Sequence, residues 1–293
     1  MCDACDAEYQ YKDKVNGCNN ASQPNRYAAH IASDNQFENF TDKAVEYEKY
    51  INGVLVIRPC SGLSGDMFVS GLATLLGCSS EILEDLAKVI KLPELEGSLL
   101  LTRKSIQGIG GWCLSLSLPH MHSHNKLKDI IEIINKSNMT DNAKQLAIKA
   151  FAIIAEAEGK VHGVAADQIT FHEVGALDSI LDICLACILY DKIKPARFVC
   201  GPLPVCDGTV VCCHGVLSTP VPAVLEMLGN MPVVGVPTCG ETITPTAVAL
   251  LKAFDAQFGA WPGMIVQRAA LVYGTNVLPN IPNGVIFSYG VLN

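Results

Sequence analysis

Charge is scarce in this sequence: only 17% of its residues are Asp, Glu, Lys or Arg, against roughly 25% in an ordinary soluble domain. Scarce charge raises the question of a membrane, yet the long apolar run a span needs is missing. The most apolar stretch, Ser179 to Tyr190, is broken by Asp182 and falls far short of the roughly 20 residues that cross a bilayer. A secretory signal is not expected either, since the chain opens MCDACDAEYQYKDK, with acids in place of an apolar segment. Basic residues are outnumbered 21 to 29, giving a net charge of −8 and a pI near 5.3. That balance excludes nucleic acid or an anionic membrane as a partner held by bulk electrostatics. Cysteine is too sparse for a disulfide scaffold, at 13 in 293 residues, and odd in number. Reduced thiols in a cytoplasmic protein are therefore expected. Cys184 and Cys187, three apart in ILDICLACILY, read as core residues. What the chain does have is 49% hydrophobic residues, enough for a substantial core.

The first 52 residues stand apart. They hold nine acids and five bases, half the net charge of the whole chain, and only Thr41 to Ile51 has helical character, so residues 1–52 are expected to form a flexible acidic head. Residues 53–293 are patterned as a folded body. Val54–Ile57, Ser98–Arg103, Trp112–Leu118, Arg197–Cys200, Val210–Cys213, Val233–Val236, Met264–Val272 and Gly284–Tyr289 read as strands. Asp66–Leu76, Ser80–Ile90, Lys126–Asn135, Thr140–Val161, Ala176–Asp191 and Pro245–Gln257 read as helices. Their irregular interleaving predicts an α/β class, mixed α+β, with helices layered on a mixed sheet.

Five segments carry polar chemistry. In FHEVGALDSILDI, His172 and Glu173 precede a helix on which Asp178 and Asp182, four apart, share a face. An imidazole and carboxylates converging there suit a divalent transition metal; the alternative is that Asp178 caps the helix while Glu173 and Asp182 are solvated. In HMHSH, the alternate residues His120, His122 and His124 project to one side of an extended chain, about 7 Å apart, as a metal-capturing loop or a polar surface one. The turn Ser61-Gly62-Leu63-Ser64-Gly65-Asp66 between a strand and a helix could cradle an anion on free N–H groups. It is equally a tight strand-to-helix turn, and it lacks the Lys of a phosphate loop. Cys212-Cys213-His214 offers two thiols and an imidazole, but neighbouring side chains in a strand point to opposite faces, so the three do not easily bind one ion; one Cys with His214 could, and a rigid Pro-rich loop is the alternative. A Pro-rich loop follows at Thr219-Pro220-Val221-Pro222. In Glu241–Thr246, Thr244 and Pro245 read as N-cap and first residue of a helix.

Taken in order, SGLSGDMF at Ser61–Phe68, HMHSH, AEAEGKVHGV at Ala155–Val164, FHEVGALDSILDI at Phe171–Ile183, GPLPVCDGTV through CHG at Gly201–Gly215, TPVPA at Thr219–Ala223 and ETITPT at Glu241–Thr246 resemble the LarC family of nickel-insertion proteins. The resemblance covers roughly residues 54–283. Arg58, Cys60, Thr170 and Ala247 depart from the family's usual Asp, aromatic, His and Gly. It implies insertion of nickel, a lyase-type chelatase step, into a pyridinium mononucleotide bearing two thiocarboxylate arms. His120, His122 and His124 would capture Ni(II), His172, Glu173 and Asp178 would form the inner site, His214 would be a further ligand, and Ser61, Gly62, Ser64, Gly65 and Asp66 would receive the nucleotide.

The family's C-terminal domain, associated with CTP and a divalent cation, is not expected within these 293 residues. A separately encoded C-terminal LarC-like domain is then the partner expected, with a homo-oligomer left open. The alternatives are a nickel-binding chaperone or store, a decayed copy, and a metal-dependent hydrolase using His172 and Glu173.

Overall fold

The computed structural model describes residues 53–92, 98–117, 125–171 and 174–292. The acidic head expected at 1–52, the three-histidine loop and the His172-Glu173 pair lie outside them.

Strand β1 (Val54–Arg58) leads through the Ser61–Ser64 turn into α1 (Gly65–Leu76) and α2 (Ser80–Lys88). A hairpin, β2 (Ser98–Ile106) and β3 (Ile109–Ser117), precedes the helices α3 (Leu127–Lys136), α4 (Asp141–His162) and α5 (Leu177–Ile193). There follow β4 (Arg197–Cys200), β5 (Leu203–Val205), β6 (Gly208–Cys212), β7 (Gly215–Thr219), α6 (Pro222–Leu228), β8 (Val233–Gly235), α7 (Pro245–Ala253), β9 (Gln257–Phe258), β10 (Met264–Val272) and β11 (Val285–Leu292). Seven strands form one mixed sheet in the order β2-β3-β10-β11-β1-β4-β9. β1 sits near its centre, parallel to β4 and antiparallel to β11. The two small sheets, β5 with β8 and β6 with β7, stand outside it. The mixed α/β class is as expected.

Hydrophobic patterning explains the layering. β1 is apolar and fully buried at every position except its last, as a central strand covered on both faces must be. Leu55 and Ile57 join the large core under the helices, whereas Val54 and Val56 join a small cluster with Val199. Phe68 of α1 is fully buried, with its ring edge-on to Phe254 and Phe287 at 6.0 Å each. α5 is apolar nearly all round and buried to match; Cys184 and Cys187 have no exposure. Burial pushes the thiols of Cys184 and Cys200 up to about 12 and that of Cys78 to about 11, so these cysteines are packing groups rather than ligands. Among the described residues no single helix is long and apolar enough to cross a membrane.

Several boundaries moved for local reasons. The strands expected at Ser98–Arg103 and Trp112–Leu118, joined around Gly108, Gly110 and Gly111, run on into a longer hairpin whose loop is only Gln107-Gly108, both at positive φ as a two-residue turn requires. Gly111 lies within β3, where a Cβ would stand 2.5 Å from the Tyr273 ring. Helix α7 stops at Ala253 because Asp255 turns left-handed (φ 53°), and Gln257-Phe258 then pairs with β4. The Pro-rich segment is partly helical, with Pro222 opening α6 at a position that needs no N–H donor. Thr140 caps α4 by accepting the N–H of Ala143 and donates to the buried Asp191, which also accepts from Asn142. Thr140→Ala is expected to cost about 1–2 kcal/mol, read as a fall of a few degrees in thermal midpoint with the structure otherwise intact.

Candidate functional site

The start of α1 is where distant motifs meet. Leu63 donates its N–H to Thr242 O at 2.8 Å, and Thr244 donates back to Leu63 O at 3.2 Å, so the Ser61–Asp66 turn and the Glu241–Thr246 segment form a parallel bridge. Gly62 makes this possible: its φ is +148°, and a Cβ there would lie 2.3 Å from Thr242 O. On the turn's other side, Ser61 is buried, its Oγ donating to Gly284 O and accepting Gly284 N–H. Lys104 donates to Gly274 O and Thr275 O and holds that loop in place. Asn283 ties residues 278–283 together through Leu278 and Ile281. The result is a cleft of about 180 Å³ walled by Ser61–Ser64, Asp66, Glu241, Thr242, Thr244, Tyr273–Asn276 and Asn283-Gly284. Thr244 caps α7 and Pro245 is its first residue, as the sequence predicts.

Helix α5 approaches the same point. Gly65 has no Cβ, and one built there would stand 2.8 Å from Asp182 Oδ2. Asp182 is therefore packed against the first residue of α1, not solvated as its alternative reading supposed. Burial pushes its carboxyl well above the usual carboxylate range, with Asp66 and then Asp178 adding repulsion. Asp66 is also raised, by burial above all, against hydrogen bonds from Ser64 and the Met67 and Asp66 N–H groups and the charge of Lys104. Asp178 is exposed and accepts the Ser179 N–H in the first turn of α5, where it complements the helix dipole; it is not the cap, since the N-cap position is Ala176, whose side chain makes no capping bond. Carboxyl groups thus gather near the start of α1, with Asp66 and Asp182 held toward the neutral form by burial, and a bound cation favours their ionised form.

The five residues expected to receive the nucleotide divide by role. Gly62 and Gly65 permit close packing, Ser61 anchors the far wall, and only Ser64 and Asp66 present polar side chains at the cleft. Asp66 takes N–H groups that a bare anion site would leave open. Asp182, absent from the expected ligand set, is the acid best placed beside Asp66; the signal was its spacing of four from Asp178.

The Cys212-Cys213-His214 segment departs from its expected geometry. β6 ends at Cys212, which pairs with Gly215, so Cys213 and His214 form a hairpin loop instead of continuing a strand. Alternation no longer applies, and one ligand atom from each of the three lies within 4.8 Å of the others. Among the described residues this is the one such group of His, Cys, Asp or Glu; the three Asp do not draw as close. It borders a second cleft, of about 470 Å³, that also includes Glu158, His162, Val174 and Glu241. Glu241 lines both clefts.

The nickel insertion protein family matches residues 55–289. A relative from Syntrophotalea carbinolica is 36% identical over 230 residues, covering 78% of this chain and 57% of its own length. Relatives from Staphylococcus epidermidis and Geobacillus kaustophilus are 32% and 33% identical over 76% and 78% of this chain; both are named pyridinium-3,5-bisthiocarboxylic acid mononucleotide nickel insertion proteins. The chain spans 55–58% of the length of these three relatives. No solved structure matches it.

Proposed function

Because this chain belongs to the nickel insertion protein family, we propose that it is the metal-handling part of a nickel insertase. Its cargo, Ni(II), is delivered to the sulfur arms of a pyridinium bisthiocarboxylate mononucleotide like that named for its relatives. What carries the reading is the meeting of the Ser61–Asp66 turn, Asp182 and the segment from Glu241 to Thr244 around the start of α1, with the Asp66 and Asp182 carboxyls desolvated and in repulsion. The cationic pyridinium ring and its sulfur arms lie toward Asp66 and Asp182, and the phosphate toward the uncharged wall at Thr275-Asn276. His120, His122 and His124 capture the ion, and His172, Glu173 and Asp178 hand it on, with the Asp182 carboxyl giving up its proton as the cation arrives. Sulfur donors then draw nickel from oxygen and imidazole, because soft ligands compete well for it. CTP and a divalent cation are assigned to a C-terminal LarC-like domain working with this metal-handling part.

The test combines the chain, the thiocarboxylated nucleotide and nickel, with and without CTP and a C-terminal domain from a relative. Product is expected only when both are added, and His172→Ala or the triple His120, His122, His124→Ala variant is expected to lower its yield at least tenfold. Tight nickel binding with no product under any condition would support a chaperone or store instead. Undiminished nickel binding in both variants would remove the proposed ligands.

A further inference from the structure

We infer that the hairpin loop Cys212-Cys213-His214, with His162 facing it, is a second metal site of thiolate and imidazole donors, at which a borderline transition-metal dication enters the larger cleft. For the identity of that dication, nickel, the inference rests on the function proposed above; the site itself does not.

The geometry matches one ion. Metal–sulfur and metal–imidazole bonds of about 2.3 and 2.0 Å at right-angle to tetrahedral openings place neighbouring S and N ligands about 3.1–3.6 Å apart, and opposed thiolates about 4.6 Å apart. Cys213 Sγ and His214 Nδ1 stand 3.2 Å apart, and all three ligand atoms lie within 4.8 Å. The Cys212–Gly215 pairing and Gly215 at φ +88° fix the loop that carries them. His162 ends α4 and lays its ring 5.0 Å from that of His214, tilted 41°. Glu158, one turn earlier on the same helix, lies 3.4 Å from His162 and orients its imidazole.

The donor set selects the cargo. Two thiolates neutralise a dication, and each thiol gives up its proton on binding, so uptake falls in acid. Soft donors disfavour magnesium and calcium and favour nickel, copper or zinc. Cys212 and His214 border the 470 Å³ cleft, which adjoins the Ser61–Asp66 cleft along Glu241. An ion taken up here passes toward the sulfur arms of the proposed substrate across the wall that the two clefts share at Glu241.

The test uses the full chain, metal-free and reduced, titrated with nickel chloride. One equivalent is expected to raise a thiolate-to-nickel charge-transfer band in the near ultraviolet. The Cys212→Ser, Cys213→Ser double variant is expected to lose the band and bind nickel at least tenfold more weakly, while His172→Ala keeps the band. His214→Gln is expected to shift and weaken it, and circular dichroism confirms that each variant is folded. A band that survives the double variant, or no band in the wild type, overturns the inference. The insertion assay run in parallel separates the two readings: a band without product under any condition removes the function and leaves the site, and product without a band does the reverse.

Discussion

Asp182→Asn is expected to make the protein more stable at neutral pH and a poorer nickel insertase. The carboxyl of Asp182 is pressed against Gly65 and repelled by Asp66 and Asp178. Burial raises its pKa in the folded chain above the ordinary range near 4. The folded state therefore binds the proton more tightly than the unfolded state does. As pH rises from the ordinary range through the raised value, stability falls, and above it the loss is complete. Asp66, also raised, adds a slope of the same sign. An uncharged, near-isosteric Asn removes the Asp182 contribution and relieves Asp66, for a gain of about 1 kcal/mol or more at pH 7, roughly 2–4 °C in thermal midpoint for a body of this size. Thermal unfolding from about pH 4 to pH 8 should show a flatter profile for the variant. Nickel should raise the midpoint of the wild type more than that of the variant, and insertion should fall about 10- to 100-fold, as when a group supporting a metal is lost. A variant that is less stable at neutral pH, with the wild-type slope retained, would show that Asp182 is held by favourable contacts and not by the needs of a cation.

Gly62→Ala is expected to be among the most damaging single substitutions of a small residue. Its Cβ would lie 2.3 Å from the carbonyl oxygen of Thr242, a backbone atom that cannot swing away, and φ +148° is itself strained for any L side chain. Strain and overlap together are expected to cost about 3 kcal/mol or more, roughly 10 °C in thermal midpoint. They would also break the bridge that joins the Ser61–Asp66 turn to the Glu241–Thr246 segment, so nickel insertion is expected to be lost. Gly163→Ala is the control. That glycine also has positive φ, +69°, but nothing lies within 4 Å of its missing Cβ, and the expected cost is only about 1 kcal/mol. Equal losses from the two substitutions would mean that backbone strain alone, and not the close approach to Thr242, sets the cost at Gly62.

Both predictions turn on contacts between segments far apart in the chain, and that is where sequence and structure divide. The sequence by itself determined what local physics dictates: the buried β1 run, helix α4 with its Thr140 cap, helix α7 opening at Thr244-Pro245, the core role of Cys184 and Cys187, and the list of segments that carry polar chemistry. Capping, periodicity and the cost of burying charge act over a few residues, so they can be read in one dimension. Only the tertiary structure decided that Asp182 leans on Gly65, that the turn at Gly62 pairs with Thr242, and that Cys212, Cys213 and His214 gather at a hairpin tip. The alternation rule failed at Cys213 because a strand ended there, one residue earlier than the apolar pattern suggested. Spacing of four placed Asp182 on a face with Asp178, but which element that face would meet depends on how α5 packs against α1. A carboxyl's environment is made by its neighbours in space, and beside Asp178 on its own helix those of Asp182 are Gly65 and Asp66, from a turn more than a hundred residues earlier in the chain.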